Sequence, residues 1–429
     1  MANKNQLQEH TASYYAASAN EQAGYPALHG AQSADICVIG AGFTGIATAL
    51  TLAERGYSVT VVEANRVGWG ASGRNGGQII CGISGAAKLR KKHGETISDL
   101  LWEMKWRGND IIFDRVNRYA IDCDLKSGYI EVAYKSRQMG NLEDNMKELQ
   151  RRNFPYEYRL LNKDDTRGTL GTEAYIGSMV NMRNGHLHPL NLCLGEAQAA
   201  VDLGATIFEM SPVTEIVHGD KPKVMTANGH VEANAVVLAG NAYHTLEPKH
   251  LSGLTFPAGS YIIATEPLSK EVIDEINPQD LAVCDLNEVV DYYRMSADGR
   301  LLYGGRCNYS GREPSSIKAS ILPRMLKTYP QLKDLRIDYE WGGNVGIVIN
   351  RIPLLGRING NVWYSQGYSG HGVCATHIMG EVIADAIAGQ MEKFDLYARV
   401  KHHRIPGSQW MGNQMIALGM LYYRLKDLL

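Results

Sequence analysis

The first strongly patterned stretch of the chain is Asp35-Ile-Cys-Val-Ile-Gly40, a short apolar run of the kind that forms a buried parallel strand. It leads straight into Gly40-Ala-Gly42-Phe-Thr-Gly45. Ile46, Ala49, Leu50 and Leu52/Ala53 then recur at helical spacing until Gly56 supplies a stop. A second apolar run over 58–63 ends in Glu63, and similar runs lie at 206–209, 235–239 and 362–365. These predict one parallel sheet assembled from dispersed strands. Residues 109–180 and 246–340 have a different texture, mixing charged helical stretches with strand-like runs at 128–134, 260–265 and 300–303. The pattern predicts an α/β fold in which a Rossmann-like domain is interrupted twice by an α+β domain with an antiparallel sheet. The expected boundaries are an N-terminal arm over 1–33, the Rossmann-like domain over 34–108, 181–245 and 341–390, the inserted substrate domain over 109–180 and 246–340, and a helical tail over 391–429. Asn228-Gly229 between two strand-like runs signals a hairpin. Pro189, following His186 and His188, suits the first turn of a helix.

The glycines at 40, 42 and 45 follow a strand and open a helix, with an acid at the end of the next strand. That context turns a weak motif into a dinucleotide-binding reading. Gly40 permits the tight turn, Gly42 lets backbone approach a pyrophosphate, and Gly45 lets helix and strand pack closely. The helix N-terminus offers unpaired N–H groups to phosphate, and Glu63 is placed to accept hydrogen bonds from a ribose. A second glycine-dense segment, Gly68-Trp-Gly70-Ala71-Ser72-Gly73-Arg74-Asn75-Gly76-Gly77-Gln78, carries a large entropic penalty unless backbone must approach something closely there.

That segment resembles the flavin-contacting loop of the D-amino-acid oxidase and sarcosine oxidase family of FAD-dependent oxidoreductases. The resemblance continues through 211–216, 235–242 and 367–373, and implies a glutathione-reductase-type FAD domain. It implies non-covalent FAD held by Gly40, Gly42, Phe43, Thr44, Glu63, Gly70, Ala71, Ser72, Arg74, Asn75, Gly76, Gly77, Gln78, Val213, Ala239, Gly240, Tyr368, Ser369, Gly370, His371, Gly372 and Val373. The segments 13–20, 185–192 and 290–305 resemble the branch of that family acting on γ-glutamylated polyamines. The implied reaction moves a hydride from the carbon beside an amine nitrogen to flavin N5, after which water hydrolyses the imine. Oxygen is the expected acceptor, giving an aldehyde, ammonia and hydrogen peroxide. Tyr293, Arg306 and His371 are the candidate catalytic residues; Tyr261, Tyr292, Arg294, Arg351 and Tyr368 are the candidate substrate contacts. Two departures bear on the substrate. Cys374 stands where relatives that clamp a substrate carboxylate beside the flavin carry lysine, which favours an amine whose reacting carbon bears no carboxylate. The stretch 301–306 also lacks the lysine that promotes reaction with oxygen, so another electron acceptor stays open. Oxidation of a secondary or cyclic amino acid such as sarcosine or pipecolate remains an alternative, as does a non-catalytic flavin-binding partner subunit.

Composition narrows the partners. The 429 residues hold 43 Lys and Arg against 45 Asp and Glu, a net charge of −2, so nucleic acid is not an expected partner. Seven scattered cysteines without a C-x-x-C pair predict neither a disulfide framework nor a structural zinc site. His186 and His188 are expected to be structural. No apolar run is long enough to span a membrane, and the start is polar, so the expected location is cytoplasmic. The tail from Trp410 is apolar enough to dock on the body, on a second subunit as a homodimer, or peripherally on a membrane surface.

Overall fold

The dispersed apolar runs meet in one sheet of the computed structural model, which describes residues 8–308, 314–406 and 411–418, the side chains of Arg306 and Cys307 excepted. Strand Gly30–Ile39 is central. It runs parallel to Val59–Val62 on one side and to Gly229–Leu238 on the other. Thr206–Phe208 extends the first edge and Val362–Gln366 the second, both in parallel. Leu354–Ile358 adds an antiparallel edge strand. Val213–Val217 and Lys223–Thr226 form an antiparallel arm whose second strand pairs with Gly229–Leu238, the hairpin that Asn228-Gly229 signals. Val38, Val61 and Val237 are wholly buried, as parallel strands covered on both faces require.

Four helices form one layer: Phe43–Glu54 packs against Pro189–Asp202 and Val373–Ile387, and Ser98–Arg118 packs against Val373–Ile387. Small residues set their spacing: a Cβ at Gly108 would lie 2.6 Å from the Cβ of Cys374, and one at Gly380 3.0 Å from the Thr48 nitrogen. A buried polar network joins all four. Arg115 reaches Glu196 at 3.1 Å and Thr51 at 2.8 Å, and the second Glu196 oxygen lies 3.1 Å from His377 Nε2. Burial alone would raise the Glu196 pKa. His377 and Arg115 outweigh burial and hold it low.

The second sheet runs in the order Ile337–Ile347, Phe256–Thr265, Leu301–Asn308, Tyr292–Met295, Ala282–Asp285, Lys126–Ala133, Gly177–His186 and Gln78–Ile79, with Tyr158–Leu161 on Gly177–His186. It is antiparallel except that Ala282–Asp285 runs parallel to Lys126–Ala133. Strand Gly177–His186 crosses the sequence-based boundary at 180/181 and Ile337–Ile347 the one at 340/341. Gln78–Ile79 brings the end of the glycine-dense loop into this sheet too. Domain texture changes along these strands more gradually than the pairing does.

The arm and the tail both touch the body. In helix Tyr14–Ala17, Tyr15 is fully buried and packs edge-on against Trp341 at 5.3 Å. Residues 411–418 are helical; a Cβ at Gly412 would lie 2.2 Å from the Phe256 ring, and Ile416 packs against Ala258, Val289 and Ile347. Met411, Met415 and Leu418 on this helix are exposed. No helix among the described residues is long and apolar enough to cross a membrane.

Arg115→Met leaves Glu196 short of a partner and is expected to lower unfolding stability by about 3–5 kcal/mol; adding Glu196→Gln should recover part of the loss in urea unfolding. His188 caps helix Pro189–Asp202, its Nδ1 accepting the Asn191 N–H at 3.1 Å, with Ser18 Oγ 3.1 Å from Nε2. Burial first, then the Arg294 charge, push its pKa down to about 3. The unfolded ring takes up a proton near pH 6.5 and the folded ring does not, so stability present above that pH declines as pH falls towards 3. The wild-type decline between pH 7 and 4 should be steeper than that of His188→Asn, at most about 1.4 kcal/mol per unit steeper; equal slopes would refute the cap assignment.

Candidate active site

The site begins with two glycines that have no room for side chains. A Cβ on Gly45 would lie 1.8 Å from the Gly40 carbonyl oxygen, so the helix entry presses directly on the turn below it. Gly40 has φ of +101°, a conformation that favours glycine, and a Cβ there would meet the Ala239 carbonyl at 3.2 Å. Gly42 caps helix Phe43–Glu54, and a Cβ on it would lie 2.9 Å from Ser72 Oγ. Ser72 Oγ in turn accepts the Phe43 N–H at 2.9 Å, which ties the glycine-dense loop to the helix start. Glu63 accepts N–H groups from Ala41 at 2.7 Å and Asn65 at 2.9 Å, and burial raises its pKa against these bonds.

These groups border a continuous cavity of about 1720 Å³. Its lining includes Glu63, Val213 and Glu215 beside the second strand and the antiparallel arm, Gly40, Gly42, Ala239 and Gly240 at the helix entry, and Gln78, Ser260, Cys284, Tyr292, Gly343 and His371 from the glycine-dense loop, the second sheet and the second helix entry. A helix N-terminus and a carboxylate along one cavity match the needs of a pyrophosphate and a ribose. The second helix entry, Tyr368-Ser-Gly-His-Gly372, also faces the cavity. Gly370 has φ of +88°, and a Cβ there would meet nothing within 4 Å, so its backbone borders open space. The residues present therefore fit FAD.

The structure brings most of the sequence-derived FAD residues to this cavity: Phe43, Thr44, Gly70, Ala71, Arg74, Asn75, Gly76, Ser369, Gly372 and Val373 also line it. Asn75 serves the loop itself, donating to the Ala71 and Ser72 carbonyls and accepting the Gly77 N–H. Gln78 donates to the Val283 carbonyl at 2.8 Å, joining the loop to the second sheet. Tyr368 accepts from Thr44 at 2.8 Å and lies 2.8 Å from Ser365, which locks the second helix entry on the first.

The substrate and catalytic candidates divide. Tyr292 lines the cavity, with Gly76 and Gly304 each leaving space for its ring. Arg351 and His371 line it as well. His371 Nε2 lies 3.1 Å from the Cys81 carbonyl, and burial lowers its pKa, so the ring is neutral at physiological pH. Tyr293 and Tyr261, expected at the flavin face, do not line it. Both project into the core on the other side of the sheet, where Tyr293 stacks on Tyr303 at 5.2 Å and its hydroxyl meets those of Tyr175 and Tyr329, each at 3.2 Å. Successive strand residues face opposite sides, so Tyr292 and Tyr293 cannot both face the flavin. The same parity turns Ser260 inward instead of Tyr261. Arg294 is also unsuited to a distal carboxylate: its guanidinium donates to Gly76 and Met295 carbonyls at 2.9 Å and to Tyr15 at 3.2 Å. It fastens arm, loop and sheet together. The Arg306 side chain lies outside the described residues. Cys374 points away into the helix layer, its Sγ 3.6 Å from Asn109 Oδ1. Ser260, Cys284, Glu288 and Asn344 line the cavity unannounced by any motif; strand parity was the signal that could have found Ser260. Among the described residues no group of three or more His, Cys, Asp or Glu is placed to hold a metal.

A large cavity bordered both by a Rossmann-type helix entry and by a capping sheet is the architecture of a dinucleotide-dependent enzyme. The chain belongs to the FAD dependent oxidoreductase family, whose model matches residues 35–386, and it is an FAD-dependent oxidoreductase. It is 42% identical to the gamma-glutamylputrescine oxidoreductase of Escherichia coli over 98% of this chain and 99% of that protein. It is 41% identical to a probable oxidoreductase of Haemophilus influenzae over 98% of each. Among solved structures, glycine oxidase from Geobacillus kaustophilus shares the fold with a TM-score of 0.71 at 20% identity, covering 87% of this chain and all of that one.

Ser72→Ala removes the acceptor that ties the loop to the helix start. Loss of one such hydrogen bond is worth about 1 kcal/mol, so FAD affinity should fall roughly 5–10-fold with the fold intact, read by flavin release on dilution. Gly45→Ala should yield protein without flavin absorbance.

Proposed function

We propose that the protein oxidises a primary amine of the γ-glutamylated polyamine class, γ-glutamylputrescine above all, to an aldehyde with release of ammonia. The full-length likeness to the Escherichia coli enzyme supports the substrate class. The observation that carries the reading is the composition of the wall facing the glycine-dense loop. Ser260, Tyr292, Gly343 and Asn344 bring no charge to it, Glu288 and Arg351 being the charged side chains that line the cavity beside them, and Cys374, in the place of a carboxylate-clamping lysine, is turned into the helix layer.

FAD, when bound, supplies the two-electron acceptor. The chain's own residues have two tasks: to hold the C–H bond in place and to keep the nitrogen lone pair free. A free primary amine resembles lysine, with a pKa near 10.4, and arrives protonated. The aromatic face of Tyr292, with its hydroxyl 3.3 Å from Ser260 Oγ, desolvates the nitrogen and favours its neutral form. Neutral His371 adds no positive charge and ties the helix entry to Cys81. Loss of two electrons and one proton, a hydride in sum, from the neutral amine leaves a protonated imine, and addition of water to it balances as aldehyde plus ammonium, which releases ammonia on giving up its proton. Oxygen as acceptor completes the proposal, with hydrogen peroxide as its product; the absence of lysine from 301–306 makes this the part most open to another acceptor.

Anaerobic mixing of the yellow holoenzyme with γ-glutamylputrescine should bleach the flavin far faster than putrescine, sarcosine or L-pipecolate does. Bleaching by sarcosine or pipecolate instead would overturn the substrate reading. Admitting air should then restore the colour within a turnover and produce peroxide; a reduced flavin stable in air would remove oxygen as the acceptor.

A further inference from the structure

The chain leaves strand Ile337–Ile347 through a turn in which an arginine holds a backbone conformation better suited to glycine or asparagine. Arg351 has φ of +64°, the left-handed region that crowds the Cβ of an L-residue. The turn is fixed from several sides. The Arg351 N–H donates to the Val348 carbonyl at 3.0 Å, and the Val348 N–H donates to Ser369 Oγ at 3.3 Å. Asn350 Oδ1 accepts the Ile352 N–H at 3.2 Å, and the Asn350 carbonyl accepts Lys88 Nζ at 3.0 Å. Ile352 closes on Gly85, where a Cβ would lie 2.4 Å from Ile352 Cγ1. Ser369, with φ of +56°, is held in turn by its N–H on the Gly346 carbonyl at 2.8 Å. Strained backbone that its surroundings keep in place recurs at ligand clamps. Here the side chain so placed is half-buried and lines the cavity, as Ser369 does.

Among the described residues Arg74 and Arg351 are the arginines that line this cavity. Arg74 serves the glycine-dense loop: its guanidinium lies 4.4 Å from the Trp69 ring centroid, and its Nε donates to the Trp69 carbonyl at 2.9 Å. Cys374 is turned into the helix layer and offers a substrate no cation. Arg351 therefore brings a planar cation with five donors to the cavity, on a turn bonded to the entry of helix Val373–Ile387, whose N-terminus also favours negative charge. A carboxylate is the planar anion that a guanidinium binds through two parallel hydrogen bonds.

We propose that Arg351 receives the α-carboxylate of the substrate's glutamyl head, while the diamine chain carries the terminal amine to the flavin. This rests on the amine reading above and deepens it, because it names the group by which a glutamylated amine is told from the bare diamine. A γ-glutamyl group is joined through its side-chain carboxyl, so its α-carboxylate remains free. Putrescine carries no negative charge and leaves Arg351 without that contact.

The test uses the holoenzyme and two amides that lack the terminal amine: N-butylglutaramate, which keeps a carboxylate where the head carries one, and N-butylbutanamide, which does not. Titrations are read by flavin absorbance change and by calorimetry. Wild type should bind the glutaramate saturably and about tenfold or more tighter than the butanamide. Arg351→Gln should lose that advantage and Arg351→Lys should recover part of it. Arg351→Asn, which tolerates the left-handed turn, should lose it as fully while melting as wild type does, a result that a purely structural role would not give. No advantage in wild type, or an advantage retained in flavin-loaded Arg351→Gln or Arg351→Asn, overturns the proposal. A shifted flavin potential in these variants with the advantage intact assigns the arginine to the cofactor and overturns it too. Should both neutral variants fail to retain flavin, Arg351→Lys and a salt titration of wild type decide: glutaramate affinity indifferent to both overturns it. Flavin reduction by γ-glutamylputrescine, measured on the same wild-type preparation, reports separately. Preference for the glutaramate without reduction by the amine refutes the oxidation reading alone, whereas reduction with an advantage untouched by substitution refutes the role of Arg351 alone.

Discussion

Everything at the flavin end depends on one close approach, that of Gly45 to the carbonyl of Gly40, where a single extra carbon would sit at 1.8 Å. Because the helix can press onto the turn, its N-terminus reaches the cavity, and its dipole and free N–H groups face where a pyrophosphate belongs. The neighbouring elements are held to the same point. Ser72 bonds the Phe43 nitrogen, Tyr368 bonds Thr44, and the Glu63 carboxylate bonds the Ala41 nitrogen. Side chains from positions 63, 72 and 368 thus converge on the helix entry at Ala41–Thr44. The helix layer behind it is equally constrained, with glycines at 108 and 380 permitting the approach and a buried Arg115–Glu196–His377 network joining the helices.

The legible part of this protein is the part where backbone meets ligand. Gly40, Gly42 and Gly45 announce themselves because only glycine tolerates those contacts, and the parallel strands do so because burial on both faces leaves continuous apolar runs. The flavin sheet was therefore readable almost strand by strand. The capping sheet was less so, since its strands alternate and their identity depends on parity. Tyr292 and Tyr293 look alike in sequence; register alone sends one over the loop and the other into a tyrosine cluster with Tyr175, Tyr303 and Tyr329. Arg294 shows the same limit. Its charge suggested a ligand, but three donors are taken by Gly76, Met295 and Tyr15, contacts spanning 279 residues of sequence. Such long-range satisfaction of a buried cation leaves no local signature.

The arm illustrates how a segment outside the motif can still shape the site. Tyr15 is buried against Trp341, whose indole N–H donates to the Arg74 carbonyl in the glycine-dense loop. Tyr14 donates to Asp298 at 2.8 Å, beyond the strand that carries Arg294. The loop that must lie against the flavin is thus braced from the side opposite the ligand. That brace matters because the loop's glycines contribute almost no packing of their own, and backbone freedom there would otherwise oppose a fixed geometry.

Charge follows the same logic. Arg294 and Arg115 are buried and satisfied within the protein, by carbonyls and Tyr15 in one case and by Glu196 and Thr51 in the other, so neither is offered to a ligand. The charged side chains that do border the cavity near the capping sheet, Glu288 and Arg351, stand with uncharged Ser260, Tyr292 and Asn344. Burial disfavours the charged form of a group, and His371, its pKa lowered in that way, adds no positive charge to that set.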